Sequence, residues 1–215
     1  EYLKANSAQE EPQDCLKLFA LNKPADMLNE TKFRELIGQG ATPHTFTAIE
    51  WSLKPEKRSL LENCQAPYKL HLCVGARVMC LRNLIAGQLV NGSTGTVLEV
   101  TPFHDPEINR ITGAVVRVKF DGMLGAEPYE HAFRTYDSTM PEAQITHDME
   151  FSVFEGKKKV ASRIQVPLRL AWAVSMHKSQ GMSLERASID FHGVFEDGQA
   201  YTALSRMRTL AGLFM

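Results

Sequence analysis

Residues 198–208 contain an arginine whose spacing from other polar residues indicates phosphate chemistry. The apolar spacing predicts a helix from 199 to 208, and on such a helix Gln199, Thr202 and Arg206 share one face. An arginine held firmly there can stabilise the charge of a transferring phosphoryl group, the role known as an arginine finger. The alternative is a surface or salt-bridged arginine, which is the commoner role of a single helical arginine.

Four polar residues follow an apolar stretch in direct succession, namely His177, Lys178, Ser179 and Gln180. Gly181 comes next and permits a ligand to approach the backbone closely. Hydroxyl, amide, ammonium and backbone N–H donors at the end of an element are typical phosphate-binding groups. The run therefore predicts a phosphate-binding site, although a histidine such as His177, taken alone, is more often structural.

Asn91 and Gly92, followed by Gly95, form a third candidate. An Asn-Gly pair between two apolar stretches is typical of a tight turn between strands. A structural hairpin is the first interpretation of this segment, and a ligand-binding loop is the alternative.

The sequence contains no phosphate-binding loop of the form GxxxxGK[ST]. Gly156 and Lys157 lack both the upstream glycine and the following serine or threonine. No acidic strand end of the kind that holds a metal-bound nucleotide precedes a nucleotide site either. We therefore expect that this chain alone does not hydrolyse ATP.

The composition is that of a globular protein, with 44% hydrophobic and 23% charged residues among 215 and a net charge of −1. No apolar run is long enough to span a bilayer. The charge is uneven, because residues 157–215 carry nine Lys or Arg against four acids, whereas residues 137–155 carry five acids and no Lys or Arg. This asymmetry favours a directional polyanion-binding face, and a solvated basic surface is the alternative.

The four cysteines form no CxxC pair, so buried free thiols in a reducing compartment are expected. A zinc site built from His71, Cys73 and Cys80 is a weaker alternative, because no second close pair of ligands accompanies them.

The chain reads as an α/β domain interrupted by short strands. A strand at 15–21 and a helix at 23–37, with Asn22 as its N-cap, indicate an open α/β sheet. Residues 187–191 predict a further strand of that sheet. Between them, strands separated by frequent Gly and Pro indicate a small antiparallel barrel. The remaining predictions are strands at 45–49, 69–81, 94–101, 114–120 and 131–136, and a short helix at 54–63.

Together and in this order, these segments resemble the PIF (petite integration frequency) family of superfamily-one DNA helicases, which move 5′ to 3′. Residues 18–22 with 27–29 resemble the family's motif IV region. Residues 74–79, 82–84 and 89–92 with Gly95 resemble the entry to its inserted barrel. Residues 167–182 resemble motif V, and residues 198–206 resemble motif VI.

The resemblance implies the C-terminal half of such a helicase. The expected fold is α/β, the second RecA-like motor domain of a pair, interrupted by a small Src-homology-3-like β-barrel. The expected divisions are a linker at 1–13, the first part of the motor domain at 14–68, the barrel at 69–159 and the second part of the motor domain at 160–215.

The resemblance also implies the site residues. Arg206 takes the catalytic finger position, and no residue is expected to bind a metal directly. ATP and Mg²⁺ would be held mainly by a first motor domain that this chain lacks. The ATP-binding residues would be Gln180, Gly181, Gln199 and Arg206, and the DNA-binding residues His177, Lys178, Ser179, Asn22 and Asn91.

The implied partners are single-stranded DNA, with G-quadruplex or forked DNA as further candidates, and the N-terminal motor domain of the same protein, but no membrane. The implied processes are DNA repair, recombination and telomere maintenance. They place the protein inside the cell, in the nucleus or mitochondrion of a eukaryote or the cytoplasm of a bacterium. The alternative is a non-catalytic nucleic-acid-binding or docking module derived from a helicase.

Overall fold

The computed structural model describes residue 12 and the ranges 15–84, 89–105, 110–121, 142–146, 149–194 and 198–215. The strand expected at 131–136 and nearly all of the linker expected at 1–13 lie outside these residues. None of the described helices is both long and apolar enough to cross a membrane.

A four-stranded parallel sheet carries the two polar clusters at 177–181 and 198–206. Its strands are short and apolar, and Leu18, Val174, Ile189 and Leu213 are buried in it. In spatial order they are β12 (Ala173–Ser175), β1 (Leu16–Phe19), β13 (Ala187–Asp190) and β14 (Leu213–Phe214), and every neighbouring pair is parallel. The first strand therefore takes both of its neighbours from the last quarter of the chain.

The helix predicted at 23–37 is confirmed and runs over Asn22–Gly38, here α1. Its buried residues Ala25, Asn29 and Phe33 recur at helical spacing, and the helix packs on β12 and β1, while Phe33 joins a second apolar core with Phe46 and Leu70. The prediction of Asn22 as the N-cap is wrong. Leu21 occupies the N-cap position without a side-chain capping bond, and the Asn22 side chain is instead bonded to Ser175.

A five-stranded antiparallel sheet occupies the middle of the chain. Gly95 is required in it, because a Cβ there would lie 2.6 Å from the Lys119 carbonyl oxygen. In spatial order the strands are β11 (Leu168–Leu170), β5 (Arg77–Cys80), β6 (Thr94–Asp105), β7 (Arg110–Phe120) and β8 (Glu142–Thr146). The sheet buries a separate apolar core that includes Val78, Val97, Val116, Val118 and Leu168.

Two smaller sheets connect these parts. One pairs β2 (His44–Thr47) with β4 (Lys69–Leu72), and the other orders β3 (Ile49–Ser52), β10 (Lys158–Gln165) and β9 (Met149–Glu155). The expected boundary between 159 and 160 falls inside β10, which pairs with β3 from the expected motor part at 14–68 and with β9 from the expected barrel at 69–159. The expected domain boundaries stay predictions.

Several predicted elements need correction in their bounds. The strand expected at 69–81 is two strands, because residues 73–76 form a turn in which Gly75 has φ +85°. The strand expected at 45–49 is also divided, and the helix expected at 54–63 is a 3₁₀ helix over Pro55–Asn63. The last helix, here α2, covers only Gln199–Leu204, so it ends four residues before the predicted position 208.

A buried ion pair fastens β10 to β3. Arg163 donates from Nη2 to Glu50 at 2.5 Å and from Nη1 to the Ala66 carbonyl at 2.6 Å. Burial would raise the pKa of the Glu50 carboxyl, but the hydrogen bonds and charges of Arg163 and Arg58 outweigh that effect and lower the pKa. Both the carboxylate and the guanidinium group thus have hydrogen-bond partners, which a buried charged group needs in order to remain ionised.

A second ion pair joins three strands of the five-stranded sheet. Arg77 of β5 donates two hydrogen bonds to Asp121, which directly follows β7, at 3.1 and 2.5 Å. Thr94 of β6 donates to the same carboxylate at 2.7 Å. Desolvation would raise the pKa of Asp121, but the bonds from Arg77 and Thr94 outweigh it and hold the pKa below its ordinary value.

Because the folded-state pKa of Asp121 is depressed, its stabilisation is fully present above the unfolded-state pKa of about 3.9 and is lost as the pH falls through the folded-state value. We expect the free energy of unfolding of the wild type, measured with urea between pH 5 and pH 3, to fall more steeply than that of Asp121→Asn. Glu62→Gln, which removes an exposed carboxylate, serves as the control. Equal acid sensitivity of the wild type and Asp121→Asn would contradict this assignment.

Candidate functional site

The carboxyl ends of β1 and β12 lie side by side, because Phe19 is paired with Ser175. The residues that follow the two strands therefore meet at one edge of the parallel sheet. Ser175 Oγ donates to Asn22 Oδ1 at 2.6 Å across this junction. Ligands of open α/β sheets bind at this kind of edge, outside the carboxyl ends of the strands.

Residues 176–181 form a compact turn after β12, here called the 176–181 turn. Ser179 is fully buried, and its hydroxyl donates to the Met176 carbonyl at 2.7 Å while its N–H is bonded to Ser175 and Met176 carbonyls. Gly181 ends the turn with φ +76°. His177 and Gln180 are exposed. Ser179 thus holds the shape of the turn that presents its neighbours, and its predicted contact with DNA stays a prediction.

Polar residues on one face of α1, here called the polar stripe, hold β12, the strand that leads into this turn. Asn29 is buried and donates to the Ala173 carbonyl at 2.8 Å, and its Oδ1 accepts from the N–H groups of Trp172 and Ala173 at 3.1 and 2.9 Å. Asn22, Asp26 and Asn29 are spaced by four and three residues, so they share one face of the helix. No role of Asn29 or Asp26 was predicted from the sequence. The available signal was polar residues on a helix face expected to be apolar.

Lys178 lies over this stripe. Its Nζ is 3.9 Å from Asp26 Oδ1, and its side chain is about a third exposed. Burial lowers the pKa of Lys178, the positive charge of Arg169 lowers it further, and Asp26 opposes both effects. The ammonium group therefore sits in a locally cationic environment at the sheet edge.

A cavity of about 280 Å³ separates the 176–181 turn from the start of α2. His177 and Gln180 line it from the turn, and Gln199 and Thr202 line it from the helix. Two predicted ATP-binding residues, Gln180 and Gln199, thus border the same cavity. Gly181 and Arg206 are not among its lining residues.

Arg206 lies in the turn after α2, and its predicted place inside the helix is wrong. Leu184 explains the early end of the helix, because its N–H donates to the Arg206 carbonyl and its carbonyl accepts from Arg208 N–H, both at 2.9 Å. The chain is thereby extended at 206–208. The Arg206 guanidinium still faces α2, since Nε donates to the Thr202 carbonyl at 3.1 Å and Nη2 to Ser205 Oγ at 2.9 Å.

Asn91 lies near the 176–181 turn, because its neighbour Gly92 contacts Met182. Gly92 has φ +96°, and a Cβ there would lie 2.9 Å from Met182 Cβ, so only glycine permits this contact with the residue after Gly181. Asn91 N–H donates to Asn83 Oδ1 at 2.9 Å. Its own Oδ1 is buried, and no donor among the described residues bonds to it.

The lining of the cavity suits phosphate oxygens better than a metal ion. Among the described residues that line the cavity, His177, Gln180, Gln199 and Thr202 offer imidazole, amide and hydroxyl groups, and none carries a carboxylate. Within the described ranges, no group of three or more His, Cys, Asp or Glu is arranged to hold a metal.

Comparison with known proteins gives a consistent assignment. The family model "DNA helicase Pif1, 2B domain" matches residues 57–100. The ATP-dependent DNA helicase PIF1 of Emericella nidulans is 31% identical over 228 aligned residues, which cover 93% of this chain and 30% of that protein. The human ATP-dependent DNA helicase PIF1 is 34% identical over 191 residues, which cover 87% of this chain and 25% of that protein. The crystal structure of Pif1 helicase from Candida albicans aligns with a TM-score of 0.64 at 28% identity, covering 99% of this chain and 48% of that one.

The parallel sheet and the matching structures define an α/β protein of the helicase class. The chain belongs to the Pif1 family of DNA helicases. It spans about a third or less of the length of the curated relatives described above.

We expect Asn29→Ala to destabilise the chain by about 3 kcal/mol, because it leaves the backbone groups of Trp172 and Ala173 buried without a partner. The free energy of unfolding from urea titration measures the loss. Thr31→Ala, at an exposed position of the same helix, is the matched control and should change the stability by less than about 0.5 kcal/mol. A loss no larger than that of the control would show that the stripe does not hold β12.

Proposed function

We propose that the chain is the second motor domain of an ATP-dependent DNA helicase that moves 5′ to 3′. In this proposal it grips single-stranded DNA and completes the ATP site of a first motor domain. One observation carries the proposal: a single edge of the parallel sheet brings together Asn22, the 176–181 turn and the cavity beside α2. In this proposal the 176–181 turn binds DNA phosphates and the cavity faces the nucleotide. A helicase motor needs these two sites to be connected, because ATP hydrolysis must be coupled to movement on DNA.

The proposed architecture assigns the parallel sheet and α1 to the RecA-like motor domain, in the parts 14–68 and 160–215. Four strands of the five-stranded sheet, β5 to β8, would form the Src-homology-3-like insertion at 69–159, whereas β11 of the same sheet lies in the part assigned to the motor domain. A linker at 1–13 would precede the motor domain. The match of residues 57–100 to the Pif1 2B domain supports this assignment, because it includes β5 and the beginning of β6.

The proposed DNA grip uses the exposed side of the sheet edge. Asn22, His177 and Lys178 offer amide, imidazole and ammonium groups to the phosphate backbone, and Ser179 maintains the turn between them. Asn91 would join this surface through the contact of Gly92 with Met182. Contacts of this kind to phosphates carry little base specificity and weaken as salt rises.

The proposed ATP site uses Gln180, Gly181, Gln199 and Arg206. Bound ATP and Mg²⁺, held mainly by the first motor domain, would supply the phosphoryl group and its charge. Arg206 stabilises that charge once its guanidinium leaves the Thr202 carbonyl and Ser205 hydroxyl to which it is now bonded. Closure and reopening of the two motor domains is a hinge-type transition that would advance the DNA grip by one step.

The proposal extends to the DNA substrates and to the cellular processes of the helicase. The DNA substrates would include forked or G-quadruplex structures, and the processes would be repair, recombination and telomere maintenance in the nucleus or mitochondrion, or in a bacterial cytoplasm. A non-catalytic binding module would keep DNA affinity and show no ATP turnover, so the ATPase measurement below separates the two candidates.

In the polypeptide that carries both motor domains, Arg206→Ala should reduce the DNA-stimulated ATPase rate about 10³-fold or more while ATP still binds. Steady-state phosphate release and equilibrium binding of a fluorescent ATP analogue measure the two effects. Arg208→Ala is the matched control, because Arg208 is exposed and pairs with Glu185 at the surface. Near-normal turnover by Arg206→Ala rules out the finger role.

Lys178→Ala should weaken binding of single-stranded DNA about fivefold or more and reduce the salt dependence of the dissociation constant by about one phosphate contact. Fluorescence anisotropy with a labelled oligothymidylate, repeated over a salt series, measures both quantities. Lys32→Ala removes an exposed lysine near the other end of α1 and serves as the control. An unchanged dissociation constant at matched salt would count against this contact.

A further inference from the structure

Arg169 lies in β11 and belongs neither to the proposed DNA grip nor to the proposed ATP site. Its charge acts on Lys178, and the charge of Asp26 acts on it, so the three side chains form one electrostatic group. They come from three different elements, namely β11, the 176–181 turn and α1. Arg169 lies three residues before Trp172, whose N–H donates at 3.1 Å to Asn29 Oδ1, and Asn29 is about one helical turn from Asp26 on α1.

The group has an excess of positive charge. Arg169 Nε is buried, and no acceptor among the described residues bonds to it. Burial is the main effect that lowers the pKa of the Arg169 guanidinium. A buried donor without an acceptor is costly, and an anion that accepts from Arg169 Nε would remove that cost.

Asp26 is a poor partner for the two cations. Its Oδ1 is 3.9 Å from Lys178 Nζ, which is too long for a hydrogen bond, and its side chain is 60% exposed. No ion pair within 4 Å joins it to Arg169 in the part of the chain that the structure describes. The exposed carboxylate of Asp26 therefore forms no hydrogen bond with Lys178 and no close ion pair with Arg169.

We propose that Arg169 and Lys178 together bind one phosphate of single-stranded DNA, and that Asp26 occupies the approach to this site as a carboxylate that the phosphate displaces. A phosphodiester of the DNA strand presents two non-bridging oxygens, so one can accept from the guanidinium group while the other accepts from the ammonium group. Asp26 then weakens DNA binding by competing for Lys178. This inference rests on the proposed DNA grip and adds a contact and a competitor to it.

The two kinds of variant act in opposite directions. Asp26→Asn should tighten binding of a labelled oligothymidylate about two- to fivefold, because it removes the competing charge from an exposed pair. Arg169→Gln should weaken binding about tenfold and lower the salt slope. Glu30→Gln and Arg34→Gln, which break an exposed pair on another part of α1, are the charge-matched controls and should bind as the wild type does, within about twofold.

A double-mutant cycle tests whether the two cations share a phosphate. If they do, the variant with both Arg169→Gln and Lys178→Ala binds more tightly than the product of the two single effects predicts. If they contact separate phosphates, the effects multiply and the shared site is wrong. Asp26→Asn, an exposed change, remains informative even if Arg169→Gln folds poorly in thermal denaturation.

The phosphate that Arg169 and Lys178 bind could instead belong to ATP, so the variants are also tested for nucleotide binding. Affinity for a fluorescent ATP analogue should be the same in Asp26→Asn and the wild type; a change there without a change for DNA would overturn the assignment to DNA. If Lys178→Ala weakens DNA binding while the Asp26 and Arg169 variants bind as the wild type does, the inference fails and the proposed function stands. If the wild-type chain does not bind oligothymidylate, both fail.

Discussion

The parallel pairing of β1 with β12 and β13 is the constraint on which the rest of the structure depends. It joins Lys17 to Ala173 on one side and to Ser188 on the other, so segments far apart in the chain become hydrogen-bonded neighbours. Parallel neighbours place their carboxyl ends at one edge, and this is why Asn22 and the 176–181 turn meet there. The buried Asn29 then fixes β12 in register, because its amide bonds to both backbone groups of Ala173.

Charge is used in two different ways within this frame. Arg163 with Glu50, and Arg77 with Asp121, are closely bonded pairs that join strands of antiparallel sheets. At the sheet edge, by contrast, Lys178 and Arg169 face a carboxylate that neither cation bonds closely. The closely bonded pairs thus hold strands together, whereas the 3.9 Å separation of Lys178 Nζ and Asp26 Oδ1 at the sheet edge leaves both groups available to a ligand.

The sequence predicted the elements whose signals are local. The helix over Asn22–Gly38 and strand β13 follow from apolar periodicity, and the polar run after β12 is visible as a run. The end of α2 could not be predicted, because the bonds of Leu184 to residues 206 and 208 come from a distant segment. The role of Asn29 was missed for the same reason, whereas the interruption of the strand at 69–81 has a local signal in Gly75 that was not used. The end of α2 and the role of Asn29 each depend on a partner that only the folded chain supplies, whereas helical spacing is present in the unfolded sequence.

The position of β1 also has a consequence for synthesis on the ribosome. Both of its partners, β12 and β13, emerge only after residues 173–190 have been translated. At about 5–20 residues per second, the apolar β1 segment would wait roughly ten to thirty seconds for its neighbours. Strands β5, β6 and β7 are close together in the sequence and can pair during that interval. The parallel sheet is therefore the last part to assemble, and β1 is the segment that most needs shielding from aggregation while the chain is incomplete.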